Sequence, residues 1–153
     1  MKLEITPPDG FIEEEIVTTW RAPLEKNLKA GLAMQFQAPV RPNLIATQRR
    51  VSNDTSLPEL MSKVAADLLR HIEGLKLTDP IEFSFADGQT GLLLDYAMPV
   101  HGKFTVVQLQ AGRLDGDVFT TLTISTEASR LDDDAKKHYL QMIAAAKVPA
   151  EES

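Results

Sequence analysis

Three histidines, a run of glutamates and one Asp-Tyr pair are the residues in this chain that could move a proton or hold a metal. His71, His101 and His138 fit neither HExxH nor any other ligand spacing, which argues against a metal site. Glu13, Glu14 and Glu15 offer carboxylates, but neighbours on a strand point to opposite sides, so only Glu13 and Glu15 share one. A charged strand that discourages edge pairing is the simpler reading. Asp95 and Tyr96 alternate to opposite faces in the same way, which undoes them as an acid-base pair. The absence of cysteine excludes thiol catalysis, thiolate metal sites and disulfides. There is no GxSxG elbow, phosphate loop or GxGxxG. No catalytic residue, metal or cofactor is therefore expected, and the chemistry left to look for is binding.

The candidates for binding lie on strands. The stretch from Phe85 to Thr126 carries Asp87-Gly88, His101-Gly102 and Asp115-Gly116, each suited to a two-residue hairpin turn. Pairing outward from those turns sets Phe83 opposite Leu92, Ile81 opposite Leu94, Leu94 opposite Leu109 and Tyr96 opposite Val107. The last hairpin sets Leu109 opposite Leu122 and Val107 opposite Ile124. This predicts a four-stranded antiparallel meander over about 79–126, with the large apolar residues on one face. Glu82, Ser84, Leu93, Asp95, Ala97, Val106, Gln108, Gln110, Thr121, Thr123 and Ser125 fall on the other. That face reads either as an ordinary solvated sheet surface or as a surface offering short hydrogen-bonding side chains and small apolar gaps.

Other elements must hold this sheet. Ser56 caps a helix with Glu59 completing a capping box, and Gly74 ends it. Its apolar stripe is Leu57, Leu60, Met61, Val64, Ala65, Leu68, Leu69 and Ile72. A second helix opens at Asp132, Asp133 and Asp134, with Lys147 near its far end, and turns Leu131, Ala135, Tyr139, Met142, Ile143 and Ala146 inward. Both helices are expected over the apolar face. "FIEEEIVTTW" reads as one strand, residues 21–42 as a long connection with a short strand at Leu32 to Gln37, and "NLIATQRRV" as another strand. The predicted fold class is α+β, a single domain over 1–148 with a flexible tail at 149–153.

Bulk properties narrow the partners. A net charge of −6 and a pI near 5.0 disfavour nucleic acid and anionic lipid. The start "MKLEITPPDG" has no apolar run for a secretion signal, and no segment approaches the ~20 apolar residues that cross a bilayer. A cytoplasmic protein that does not insert into membranes is the expectation.

The order "PDGF" then strand, "NLIATQRR", a helix closed by "IEGLKL", "GLLLDY", "TTLTIST" and a last helix resembles the DcrB-like family of the Mog/PsbP-like fold. More narrowly it is similar to the Eag-type adaptor chaperones of bacterial type VI secretion, over nearly the whole chain. The resemblance implies a non-enzymatic homodimer, saddle-shaped, with a concave sheet surface. Such a dimer holds the hydrophobic N-terminal transmembrane helices of a secreted effector and helps load the effector on its spike protein. The family's strand after the "PDGF"-like turn contacts the client, which by position implies Ile16 and Thr18 here, threonine standing where the family has an aliphatic residue. Ala97, Val106, Gln108, Gln110, Thr121 and Thr123 complete the candidate client-binding set. The long segment 21–42 departs from the compact Eag pattern. The broader family alone implies a binding or structural protein of unassigned role. Trp20 and residues 31–37 are the candidate dimer contacts.

Overall fold

The computed structural model describes residues 43–100 and 104–146, and the backbone of two short strands at 12–14 and 18–21. Ile16, the predicted strand at Leu32 to Gln37, Lys147 and the tail lie outside the described residues.

The architecture is α+β. The strands are β1 (Ile12–Glu14), β2 (Thr18–Arg21), β3 (Asn43–Arg50), β4 (Lys76–Leu77), β5 (Ile81–Ser84), β6 (Thr90–Val100), β7 (Phe104–Asp115) and β8 (Val118–Glu127). They form one eight-stranded sheet in the order β1-β2-β3-β8-β7-β6-β4, with β5 also pairing β6. Every pairing is antiparallel. Residues 12–20, expected as one strand, instead contribute two that pair with each other, Glu13 opposite Trp20.

Helix α1 (Leu57–His71) starts where the sequence says it should. The Ser56 hydroxyl accepts the Glu59 amide at 3.4 Å, and Pro58 sits in the first turn, where no amide is needed. The Ile72 amide donates to Leu68 O, and Gly74, at φ +77°, turns the chain away. Leu60 and Met61 are buried, whereas Leu69, expected on the inner stripe, is 57% exposed. Helix α2 (Asp133–Ala144) is capped by the Asp132 carboxylate, which accepts the Ala135 amide at 2.7 Å.

The two helices do not share a face, contrary to the expectation above. The reason lies in the length of the turns. Ser84 pairs Thr90, so the β5–β6 connection is the five residues 85–89 and Phe83 faces Gly91. Val100 pairs Phe104, so three positions and not two separate β6 from β7, and Leu94 faces Gln110 instead of Leu109; the predicted His101-Gly102 turn itself lies outside the described residues. Each of these shifts the register by one position, and a one-residue shift exchanges faces. The third turn moves by one place to Gly116-Asp117, which shifts that pairing by two and keeps its parity, with Leu109 opposite Ile124. Apolar residues are thereby divided. Leu94, Tyr96 and Phe119 pack with Leu60 and Met61 of α1 on one face. Leu44, Leu93, Leu109, Ala111, Leu122 and Ile124 pack with Ile143 of α2 on the other. A sheet that is apolar on both faces needs a helix on each.

Gly112 shows how closely α1 sits. A Cβ there would lie 2.4 Å from Met61 Sδ, so the methionine rests directly on strand backbone.

Candidate functional site

The α1 face of the sheet carries a grid of uncharged polar side chains beside the helix. Strand partners share a face, so the register lays out its rows. Tyr96, Gln108 and Ser125 form one row; Leu94, Gln110, Thr123 and Ile45 the next; Gly112, Thr121 and Thr47 the third. Met98, Val106 and Glu127 border the grid at one end.

Hydrogen bonds fix the side chains within it. Tyr96 OH donates to Gln110 Oε1 at 3.0 Å, and Gln108 Nε2 donates to Ser125 Oγ at 2.7 Å. The Thr47 and Thr121 hydroxyls are hydrogen-bonded to each other. Val106, Tyr96, Thr121 and Ser125 are buried, Gln108, Gln110, Thr123 and Ile45 half-buried, and Thr47 exposed. Burial pushes the Tyr96 phenol well above its ordinary pKa, so it stays a neutral donor. Arg49, over the Phe119 ring at 5.3 Å, lies past the Thr47 end, and Glu127 past the Gln108 end.

The predicted set is only partly brought together. Val106, Gln108, Gln110, Thr121 and Thr123 lie on this face. Ala97 pairs Val107 and so belongs to the α2 face, for the same one-residue reason that separated the helices. Thr18 pairs Ala46, a register position on the α2 side of the sheet. Ile45, Thr47 and Tyr96 belong to the grid but not to the predicted set. The alternation in "NLIATQRR" puts Ile45 and Thr47 on one side; nothing in it says that β8 will be the neighbour.

The arrangement can donate and accept hydrogen bonds and give small apolar contacts. It holds no nucleophile with a base in reach, since the Tyr96 proton is directed at an amide oxygen. His71 spends Nδ1 on Asp67 O at 2.8 Å on the exposed side of α1, and His138 lies exposed on α2. Among the described residues no group of three His, Cys, Asp or Glu side chains could hold a metal ion, and no helix is long and apolar enough to cross a membrane. A groove of about 420 Å³ runs along α2, lined by Asp133, Lys136, Lys137, Leu140, Gln141 and Ala144.

No family model and no curated protein matches the chain. Solved structures do. Cyanobacterial PsbP (CyanoP) from Synechocystis sp. PCC 6803 superposes with a TM-score of 0.64 at 16% identity, over 96% of this chain and 86% of that one. The fold is PsbP-like. PA94 from Pseudomonas aeruginosa, a protein of unknown function, matches with a TM-score of 0.63 at 15% identity, covering 95% of this chain and 90% of its own. LpqN of Mycobacterium tuberculosis, involved in cell envelope biogenesis, matches at 0.58 and 15% identity, over 94% and 81%. At such identities the likeness is one of PsbP-like architecture, and function has to be argued from the site.

Proposed function

We propose that the protein is a non-enzymatic cytoplasmic chaperone whose Gln/Thr sheet face holds the hydrophobic N-terminal helices of a type VI secretion effector until the effector is loaded on its spike protein. The observation that carries this reading is the grid itself: Gln108, Gln110, Thr121, Thr123, Ser125 and Thr47 in adjacent register positions, uncharged, beside Val106 and Ile45. A transmembrane helix kept out of lipid has to bury apolar surface, at about 25 cal/mol per Å². Its small and hydroxyl residues also need partners of the kind they find inside a membrane. Short polar side chains interleaved with valine and isoleucine meet both needs, and a charged face would not. The resemblance to Eag-type chaperones supplies the class of client and the expectation of a homodimer.

The test is Thr123→Arg, which sets a guanidinium in the middle of the grid. Retention of a tagged, Leu/Ala-rich peptide of ~20 residues, the length of a membrane-spanning helix, is read by pull-down beside the melting temperature. Ile16→Arg asks the same of the strand that the resemblance implicates. Loss of the peptide from folded Thr123→Arg supports the chaperone reading. A folded variant that holds the peptide as well as the parent removes the grid from the site and leaves a DcrB-like binding or structural role.

A further inference from the structure

Arg113 of β7 is 1% exposed, yet it is a charge with a full set of partners. Its Nε and Nη2 donate to the Asp115 carboxylate at 2.8 Å each. Nη2 and Nη1 donate to Asp87 at 2.8 and 3.1 Å, and Nη1 donates also to the Ala146 carbonyl at 3.2 Å. Each N–H of the guanidinium therefore has an acceptor. The Phe85 ring lies 4.7 Å from the guanidinium carbon.

These partners come from three places. Asp115 belongs to the same strand. Asp87 lies in the β5–β6 loop, 26 positions away, and Ala146 follows α2, 33 positions away. The loop and the helix end are also joined directly, the Ala86 amide donating to Ala144 O at 2.8 Å. Helix α2 has no basic residue in its last turn, so Arg113 supplies from the sheet the cation that its terminal carbonyls favour. Ile143 and Ala146, both fully buried, sit at that same end. The start of the helix is held more weakly, by Lys136 to Asp95 at 2.7 Å between partly exposed side chains.

We infer that Arg113 is a latch: it joins the last turn of α2 to the β5–β6 loop, so that the two open and close as one unit, apart from the sheet. When the Asp87 carboxylate is lost, Asp115 still balances the charge, but two guanidinium N–H groups lose their charged acceptor while Arg113 stays buried. Water can satisfy them by entering where the loop and helix end lift, at far less cost than by parting β7 from β8, which pair along ten positions.

Native-state hydrogen exchange, corrected for intrinsic rates, tests this on Arg113→Lys and Asp87→Asn. Lysine keeps the charge and loses the planar fork; asparagine keeps the shape and loses the charge. The amides of 86–89 and 141–146 should speed up together by about tenfold or more, while those of 107–111 and 120–124 keep the parent's rates. If Arg113→Lys does not fold, Asp87→Asn carries the same readout. Unchanged exchange in both segments, a response in one alone, or equal acceleration across the sheet would each overturn the latch.

Discussion

One phenol shows what fixes the grid. Tyr96 is 2% exposed, packs against α1 and donates a hydrogen bond to Gln110 Oε1. Tyr96→Phe leaves that oxygen without its donor, and a loss of about 1 kcal/mol is expected. The same substitution has a signature in alkali. Burial raises the folded pKa of Tyr96 above its unfolded value of about 10, so its contribution is fully present below that pH and fades as pH rises through it. Urea midpoints at neutral pH and at about pH 11 should fall further apart for the parent than for Tyr96→Phe. Equal falls would mean that Tyr96 ionises as freely in the fold as in the unfolded chain. Asp87 works the other way. The hydrogen bonds from Arg113 hold its carboxyl below the usual range, so its contribution exists above an unfolded pKa of about 4 and is lost as pH falls further.

At the scale of elements, α1 depends on a missing side chain. Gly112→Ala would bring a methyl to 2.4 Å from Met61 Sδ, and Met61 is fully buried. A loss of about 1–3 kcal/mol is expected, partly recovered in Gly112→Ala with Met61→Ala, because the second change vacates the space the first one needs. Denaturation of the double mutant checks it: purely additive losses would place the strain elsewhere. Helix ends are legible in the sequence because their signals are local. Ser56 caps as read, and Asp132, read only as an anion that the helix dipole favours, proves to be the cap of α2; each accepts an amide three positions on. The glycines of the turns are legible too: Gly88 and Gly116 take positive φ. Turn length is not. A two-residue and a three-residue connection around one glycine differ by a single position, and that position decides the face of every residue beyond it. Hence Gln108, Gln110, Thr121 and Thr123 are correctly grouped from sequence while Ala97 crosses to the other side. Thr47 escapes for another reason: its partner Thr121 is 74 residues away, and nothing local records that.

Among the described residues the molecule is a sheet with a helix on each face, its strand order running from β1 to β4, with β5 also paired to β6. Ile81 on β5 is 57% exposed. Edge strands are where chains can pair, and the proposed function carries the expectation of a homodimer. Light scattering at micromolar concentration should give twice the 16.9 kDa chain mass; a monomer throughout that range would remove the saddle. The placing of β3 against β8 also has a consequence in time. The β7–β8 hairpin closes over Gly116 and Asp117 alone, whereas β3 must return across some seventy residues to meet β8, as the 74-residue span from Thr47 to Thr121 measures. Closing a short loop loses little entropy and a long one loses more, so the hairpin should nucleate and β3 should join late. Ile45→Ala should then hasten unfolding and leave the folding rate nearly alone; slower folding in stopped flow, in proportion to the lost stability, would reverse that order. Thr47 and Ile45 reach the grid only with β3. A nascent chain would therefore lack the finished grid, and on the proposed function the capacity to hold a client would arise as one of the last events of maturation.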